Sequence, residues 1–175
     1  IDAPFFLGQR PVTQMHWESI MGYNPSKFQQ GWSSGLRPVD SVTLHDCIEF
    51  ISKLNQSHNS KQRLSLDGIW RLPTEAEWEY CARSGSETKW CFGNFDGDLD
   101  DYGWHAGNSG ASTREVGLKK ANTWELHDMY GLISEWCQDN YRPDYTIKSK
   151  QKPYLDGEDI YCLLYTSPSP RDSDQ

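Results

Sequence analysis

The chain has 175 residues, 36% of them apolar, with eight Trp, nine Tyr and a formal charge of −8; its mean hydropathy is −0.79. That length fits one domain and not comfortably two. An acidic surface repels phosphate backbones, which argues against a nucleic-acid partner, and no apolar run approaches the length needed to span a bilayer. Buried Trp and Tyr need partners for their N–H and O–H groups, so the composition predicts an aromatic core laced with side-chain hydrogen bonds, many loops and little long regular structure.

In chain order, a first helix is predicted from about Thr13 to Met21, with Met15, Trp17 and Ile20 as its apolar positions and Gly22 as its stop. A second follows Thr43, which stands three residues before Asp46 in a capping-box arrangement. Leu44, Cys47, Ile48, Ile51 and Leu54 recur at helical spacing behind it. A third follows Thr74, with Glu77 completing another capping box. Ala76, Trp78, Tyr80, Cys81 and Ala82 carry it to Arg83, and Gly85 ends it. Arg71 is suited to a bidentate bond with a carboxylate, and Glu75, Glu77 and Glu79 suit the positive end of the helix dipole. This block therefore reads as scaffold chemistry before catalysis.

Beyond Gly85 the chain is rich in Gly, Asn, Asp and Trp, and short irregular strands joined by turns are predicted. Asp96, Asp98, Asp100 and Asp101 lack the glycine and distal glutamate of an EF-hand loop, so they read as a solvated loop. His16, His45, His58, His105 and His127 show no paired metal spacing, and Cys47, Cys81, Cys91 and Cys137 form no Cys-x-x-Cys pair that would support structural zinc. Cys162 to Asp172 resembles one translated frame of a transposase sequencing adapter. Residues 162–175 are accordingly expected to be an assembly artefact and disordered, with the domain spanning 1–161; the alternative is a genuine Ser/Pro-rich tail.

Several blocks carry a family resemblance. Arg71-Leu72-Pro73-Thr74-Glu75-Ala76-Glu77-Trp78-Glu79-Tyr80, followed by Ala82-Arg83-Ser84-Gly85, resembles the signature of sulfatase-modifying-factor domains, the formylglycine-generating-enzyme-like family. Pro11-Val12-Thr13-Gln14, the stretch Met21 to Phe28, Arg37 to Thr43, Asn108-Ser109, Val116-Gly117 and Leu126 to Trp136 follow in the family order, and the match covers about Arg10 to Tyr141. The resemblance implies a C-type-lectin-like α+β fold of low regular secondary structure, with the family's final strands missing from this chain.

The resemblance also implies a calcium site. Asp128 and Glu135 would supply side-chain oxygens, and Gly131 and Ile133 backbone carbonyls, a mixture that hard cations favour. On the residues alone, Asp128 and Glu135 could equally cap turns or pair with Lys119 or Lys120. Relatives usually carry Gly-Asn-Val-Trp-Glu-Trp where this chain has Gly131-Leu132-Ile133-Ser134-Glu135-Trp136, and loss of the first Trp predicts a hole unless neighbours refill it. A second family calcium site would involve Asn108 and Ser109, but its partner loop after Val116 looks shortened.

The resembling enzymes are oxidoreductases that convert a substrate cysteine to formylglycine, using oxygen and a copper ion held by two cysteines in their last strands. Those cysteines are not matched here. Three classes stay open: a copper-dependent oxidase acting on a protein or peptide substrate, a non-catalytic lectin-like recognition module of the kind attached to other bacterial domains, and an iron-dependent sulfoxide synthase.

Overall fold

The computed structural model describes residues 1, 4–59, 69–140 and 161–164. Helix α1 spans Gln14–Met21; Thr13 caps it by accepting from the His16 amide, and Gly22 closes it in the left-handed conformation at φ 82°. Its inward face is Gln14, Trp17 and Met21, whereas Met15, expected inside, is 53% exposed. Gln14 replaces it because its amide is satisfied there. Nε2 donates to the carbonyls of Phe28 and Pro38 at 3.1 and 3.4 Å, and Oε1 accepts from Asn24 Nδ2 at 2.9 Å. A buried amide with such partners is tolerated where an unpaired one is costly.

Helix α2 spans Leu44–Asn59. Its capping box is formed, with the Thr43 amide donating to Asp46 Oδ2 at 2.8 Å and the Asp46 amide to Thr43 Oγ1 at 3.2 Å. Ile48, expected on the apolar face, is exposed; Phe50 is buried instead and stacks on Trp17 with ring centroids 4.9 Å apart. Trp17, Met21, Val39 and Phe50 form one buried cluster, with Ile20, Val42, Ile51 and Leu54 packed against it.

Helix α3 spans Glu75–Arg83 and carries both halves of its capping box. Arg71 grips Glu77 bidentately, with both N–O distances 2.7 Å. At the other end Ser84, not Gly85, first turns left-handed, at φ 46°, with Gly85 following at φ 85°. Trp78, Cys81 and Ala82 pack with Leu126, Met129 and Cys137 into a second buried cluster.

The acidic stretch expected as a loop is instead a 3-10 turn, Asp96–Asp98, running into the short helix α4, Leu99–Tyr102. Asp96 accepts from Lys89 Nζ and from Trp90 Nε1 at 2.8 Å, Asp101 pairs with Lys120 at 2.7 Å, and Asp100 accepts from His105 Nε2 and Asn108 Nδ2. Bonded neighbours thus order it.

Two strands are described. Strand β1, Glu135–Asn140, pairs antiparallel with β2, Tyr161–Leu164, Glu135 lying opposite Leu164 and Trp136 opposite Leu163. Elsewhere among the described residues the chain runs through turns and isolated bridges, so fewer strands form than expected. The expectation of disorder from Cys162 gives way at 162–164, where main-chain groups join the ladder of β1; the rest of that stretch, 165–175, lies outside the described residues. Successive residues of a strand face opposite ways. Cys137 enters the α3 cluster, while Trp136 Nε1 reaches the Val42 carbonyl at 3.2 Å beside the other cluster. Strand β1 therefore joins the two cores.

The Arg71 grip and the Thr74 box hold the Glu77 carboxyl down at about 2, well below its ordinary range. A depressed carboxylate stabilises the fold above its unfolded pKa and loses that contribution as pH falls through the folded value. Replacing Glu77 by Gln keeps a box acceptor and removes the charge. The variant should melt a few degrees lower at pH 7, by about 1 kcal/mol, and the gap from wild type should close between about pH 4.5 and 2 when followed by circular dichroism.

Candidate metal centre

The segment from Asp128 to Glu135 leaves the α3 cluster and enters β1. Its path is set by a close backbone crossing. A side chain at Gly131 would overlap the Trp104 carbonyl, and one at Gly103 would overlap the Tyr130 carbonyl. Gly131 also sits at φ 115°, which L side chains rarely adopt. The Leu132 amide then donates to the Trp104 carbonyl at 2.9 Å, and the Ile133 amide to the Gly131 carbonyl at 2.9 Å. Leu132 itself is left-handed at φ 68°, a conformation that asparagine tolerates better.

The structure brings two of the four expected metal ligands together as side chains. Asp128 is 1% exposed, with φ 61°. Its Oδ2 accepts from the Gly117 amide at 2.6 Å, and its Oδ1 is buried with no hydrogen-bond partner. Glu135, the first residue of β1, accepts from Trp78 Nε1 at 3.1 Å through Oε2. The residue as a whole is half-buried.

Burial pushes the Glu135 carboxyl up to about 7; the Trp78 bond opposes the rise and the nearby Asp128 charge adds to it. Burial likewise raises Asp128, against the Gly117 hydrogen bond and the charges of His127 and Arg10. These are two mutually repelling acids, one half-buried and the other buried with an orphaned oxygen. Gly131 and Ile133 lie in the turn between them, and the Gly131 carbonyl already accepts from the Ile133 amide. Lys119 and Lys120, the alternative partners, are engaged elsewhere: Lys119 donates to the Asp100 carbonyl and lies over Trp104, and Lys120 pairs with Asp101.

The donor set suits a hard cation. Among the described residues no group of three His, Cys, Asp or Glu side chains gathers, so further ligands would be carbonyl oxygens, which calcium accepts readily. The weaker candidate at Asn108 and Ser109 is absorbed into the fold. The Asn108 amide donates to Asp100 and the Gly103 carbonyl and accepts from the His105 amide, and the Ser109 carbonyl accepts from Arg114 Nε at 2.8 Å. Burial raises the thiols of Cys47, to about 12, and of Cys81 and Cys91. Thiols held protonated are poor nucleophiles and poor metal ligands. Cys137 is fully buried beside the site.

Sequence reading missed the side chains that finish α3. Asn122 Nδ2 donates to the Cys81 carbonyl at 2.8 Å while its Oδ1 accepts from the amides of Trp124 and Leu126. Tyr130 donates to the Ala82 carbonyl and accepts from the Cys91 amide. Open carbonyls at any helix end were the available signal; which residues reach them depends on the tertiary path. Ser134 lines a groove of about 470 Å³ together with residues that include Trp17, Phe50, Ile51 and Trp136.

Two variants test the crossing. Gly131→Ala meets both a forbidden backbone conformation and the Trp104 carbonyl, and should cost about 3 kcal/mol or more in urea unfolding. Leu132→Asn relieves the left-handed strain and should add about 0.5 kcal/mol.

Three comparisons bear on this architecture. Residues 1–170 match the Sulfatase-modifying factor enzyme 1-like domain. The chain is 29% identical over 177 residues to the chaperone protein LppX of Paenibacillus barcinonensis, covering 77% of this chain and 62% of that protein. It is 38% identical over 88 residues to the formylglycine-generating enzyme of Mycobacterium tuberculosis, covering 44% of this chain and 29% of the enzyme. The chain thus spans less than two thirds of either relative. In three dimensions it superposes on Treponema denticola variable protein 1 with a TM-score of 0.68 and 34% identity, covering 78% of this chain and 62% of that one. With the family match running through the α3 signature and the Asp128–Glu135 turn alike, this chain belongs to the sulfatase-modifying-factor, or formylglycine-generating-enzyme-like, family.

Proposed function

We propose that this chain is a calcium-stabilised, C-type-lectin-like α+β domain that recognises a protein or peptide. The observation that carries the metal part is the buried, partnerless Asp128 Oδ1, with the half-buried Glu135 carboxyl near enough for the two charges to repel. Calcium would be held by side-chain oxygens of Asp128 and Glu135 and the main-chain carbonyls of Gly131 and Ile133. When bound it supplies positive charge that offsets two desolvated acids. A site assembled only on folding adds its binding free energy to stability. The recognition part is supported by the raised, protonated thiols of Cys47, Cys81 and Cys91 and by similarity to a relative named a chaperone protein.

A copper-dependent formylglycine oxidase is the second reading, favoured by the 38% identity to the Mycobacterium enzyme. Its copper-binding cysteines would have to come from outside the set Cys47, Cys81 and Cys91, whose thiols desolvation holds protonated.

Calcium at millimolar concentration should raise the melting temperature by several degrees, consistent with a stabilisation of about 2.7 kcal/mol at a hundredfold excess over Kd. Glu135→Gln keeps an acceptor for Trp78 and removes one charge. It should melt higher than wild type without metal at pH 8 and respond little to calcium. An unchanged melting curve for wild type on adding calcium would sink the metal assignment. Incubating the intact protein with a cysteine-bearing sulfatase peptide, copper(I) and oxygen, then trapping aldehydes with a hydrazine, separates the two readings. No adduct is expected, and an adduct that forms with turnover would establish the oxidase instead.

A further inference from the structure

We propose that Arg10 is a fixed positive charge that sets the calcium affinity of the Asp128–Glu135 site, holding it below what the two carboxylates alone would give. This rests on the calcium reading above.

Its basis is the packing around Gly117. That glycine is left-handed, at φ 76°, and its amide donates to Asp128 Oδ2 at 2.6 Å. Arg10 lies against the same residue: its Nε, Cδ and Cζ stand 2.5, 3.1 and 3.2 Å from where a side-chain carbon at 117 would begin. One glycine therefore carries the hydrogen bond to the metal carboxylate and the seat of the guanidinium. Any larger residue would displace the arginine.

The remaining charges around the acids are Glu135, which repels Asp128, and His127, beside it in sequence, whose Nδ1 is bonded to the Lys119 carbonyl at 2.9 Å. Arg10 is an exposed cation, and no ion pair with a carboxylate is formed by it among the described residues. Without metal its field favours the Asp128 anion. With metal the same field opposes a divalent cation, and Coulomb's law doubles the effect for a doubly charged ion. Arg10 thus plays opposite roles in the two states, supporting the empty site and weakening the filled one. It is a positioning and tuning residue, not a ligand.

Calorimetric calcium titration at low ionic strength tests this. Arg10→Gln should tighten calcium binding by roughly threefold to tenfold and slightly lower the melting temperature of the metal-free protein. Arg10→Lys, which restores the charge, should return affinity toward wild type, and the gap between Gln and wild type should narrow in about 0.5 M salt. A residue needed only for packing would give neither the charge rescue nor the salt dependence. Equal or weaker calcium binding by Arg10→Gln, with wild type binding normally and Glu135→Gln binding poorly, overturns the role of Arg10 alone. Failure of wild type to bind calcium, or undiminished binding by Glu135→Gln, overturns the calcium site and this inference together.

Discussion

Helix α3 is held at both ends, and the rest of the molecule is arranged around that restraint. At its start Thr74 and Glu77 cap each other, Arg71 clamps Glu77, and Asp139 of β1 accepts from the Glu75 amide at 2.6 Å. At its end Asn122 and Tyr130 take up the carbonyls of Cys81 and Ala82. A nine-residue helix is too short to be stable alone. Its geometry comes from these side chains and from the apolar cluster beneath Trp78, Cys81 and Ala82. Because Asn122, Tyr130 and Asp139 all belong to the segment 122–139, fixing α3 also fixes where Asp128 and Glu135 stand.

The same restraint explains why two acids can be buried next to one another. Trp78 packs α3 onto the core and turns its indole N–H toward Glu135. The Gly117 amide does the equivalent for Asp128. One neutral donor apiece is too little for two carboxylates taken out of water. The site is a local weakness, and among the described residues Asp128 Oδ1 and Asp40 Oδ2 are the buried carboxylate oxygens left without a partner; such places concentrate at functional positions.

Strained backbone gathers there too. Asp128, Gly131 and Leu132 all take positive φ within five residues, and Gly131 meets Trp104 backbone to backbone. Positive φ costs an ordinary residue of order 1–2 kcal/mol. The turn is retained because the crossing with Gly103 and Trp104 determines it from outside. The groove beside Ser134 lies against the other core cluster, where Trp17 stacks on Phe50, and β1 links the two regions through Trp136 and Cys137.

Much of this was legible in the residues. The capping boxes at Thr43 and Thr74, the Gly22 stop and the Arg71 clamp are local, encoded by side chains within a few positions of each other, so spacing suffices to find them. The order of the family blocks along the chain pointed to the formylglycine-generating-enzyme-like fold, and the expectation of a metal at Asp128, Gly131, Ile133 and Glu135 rests on that resemblance. Tertiary structure decided what lies far apart in sequence. It buried Gln14 in place of Met15, since only the fold brings Phe28, Pro38 and Asn24 to its amide. It made helical turns of the Asp96–Asp101 stretch through Lys89, Trp90 and Lys120, and it placed Arg10 against Gly117, the residue whose amide donates to Asp128. Periodicity reports which side of an element is apolar; which polar groups find partners depends on contacts between elements that no local pattern specifies.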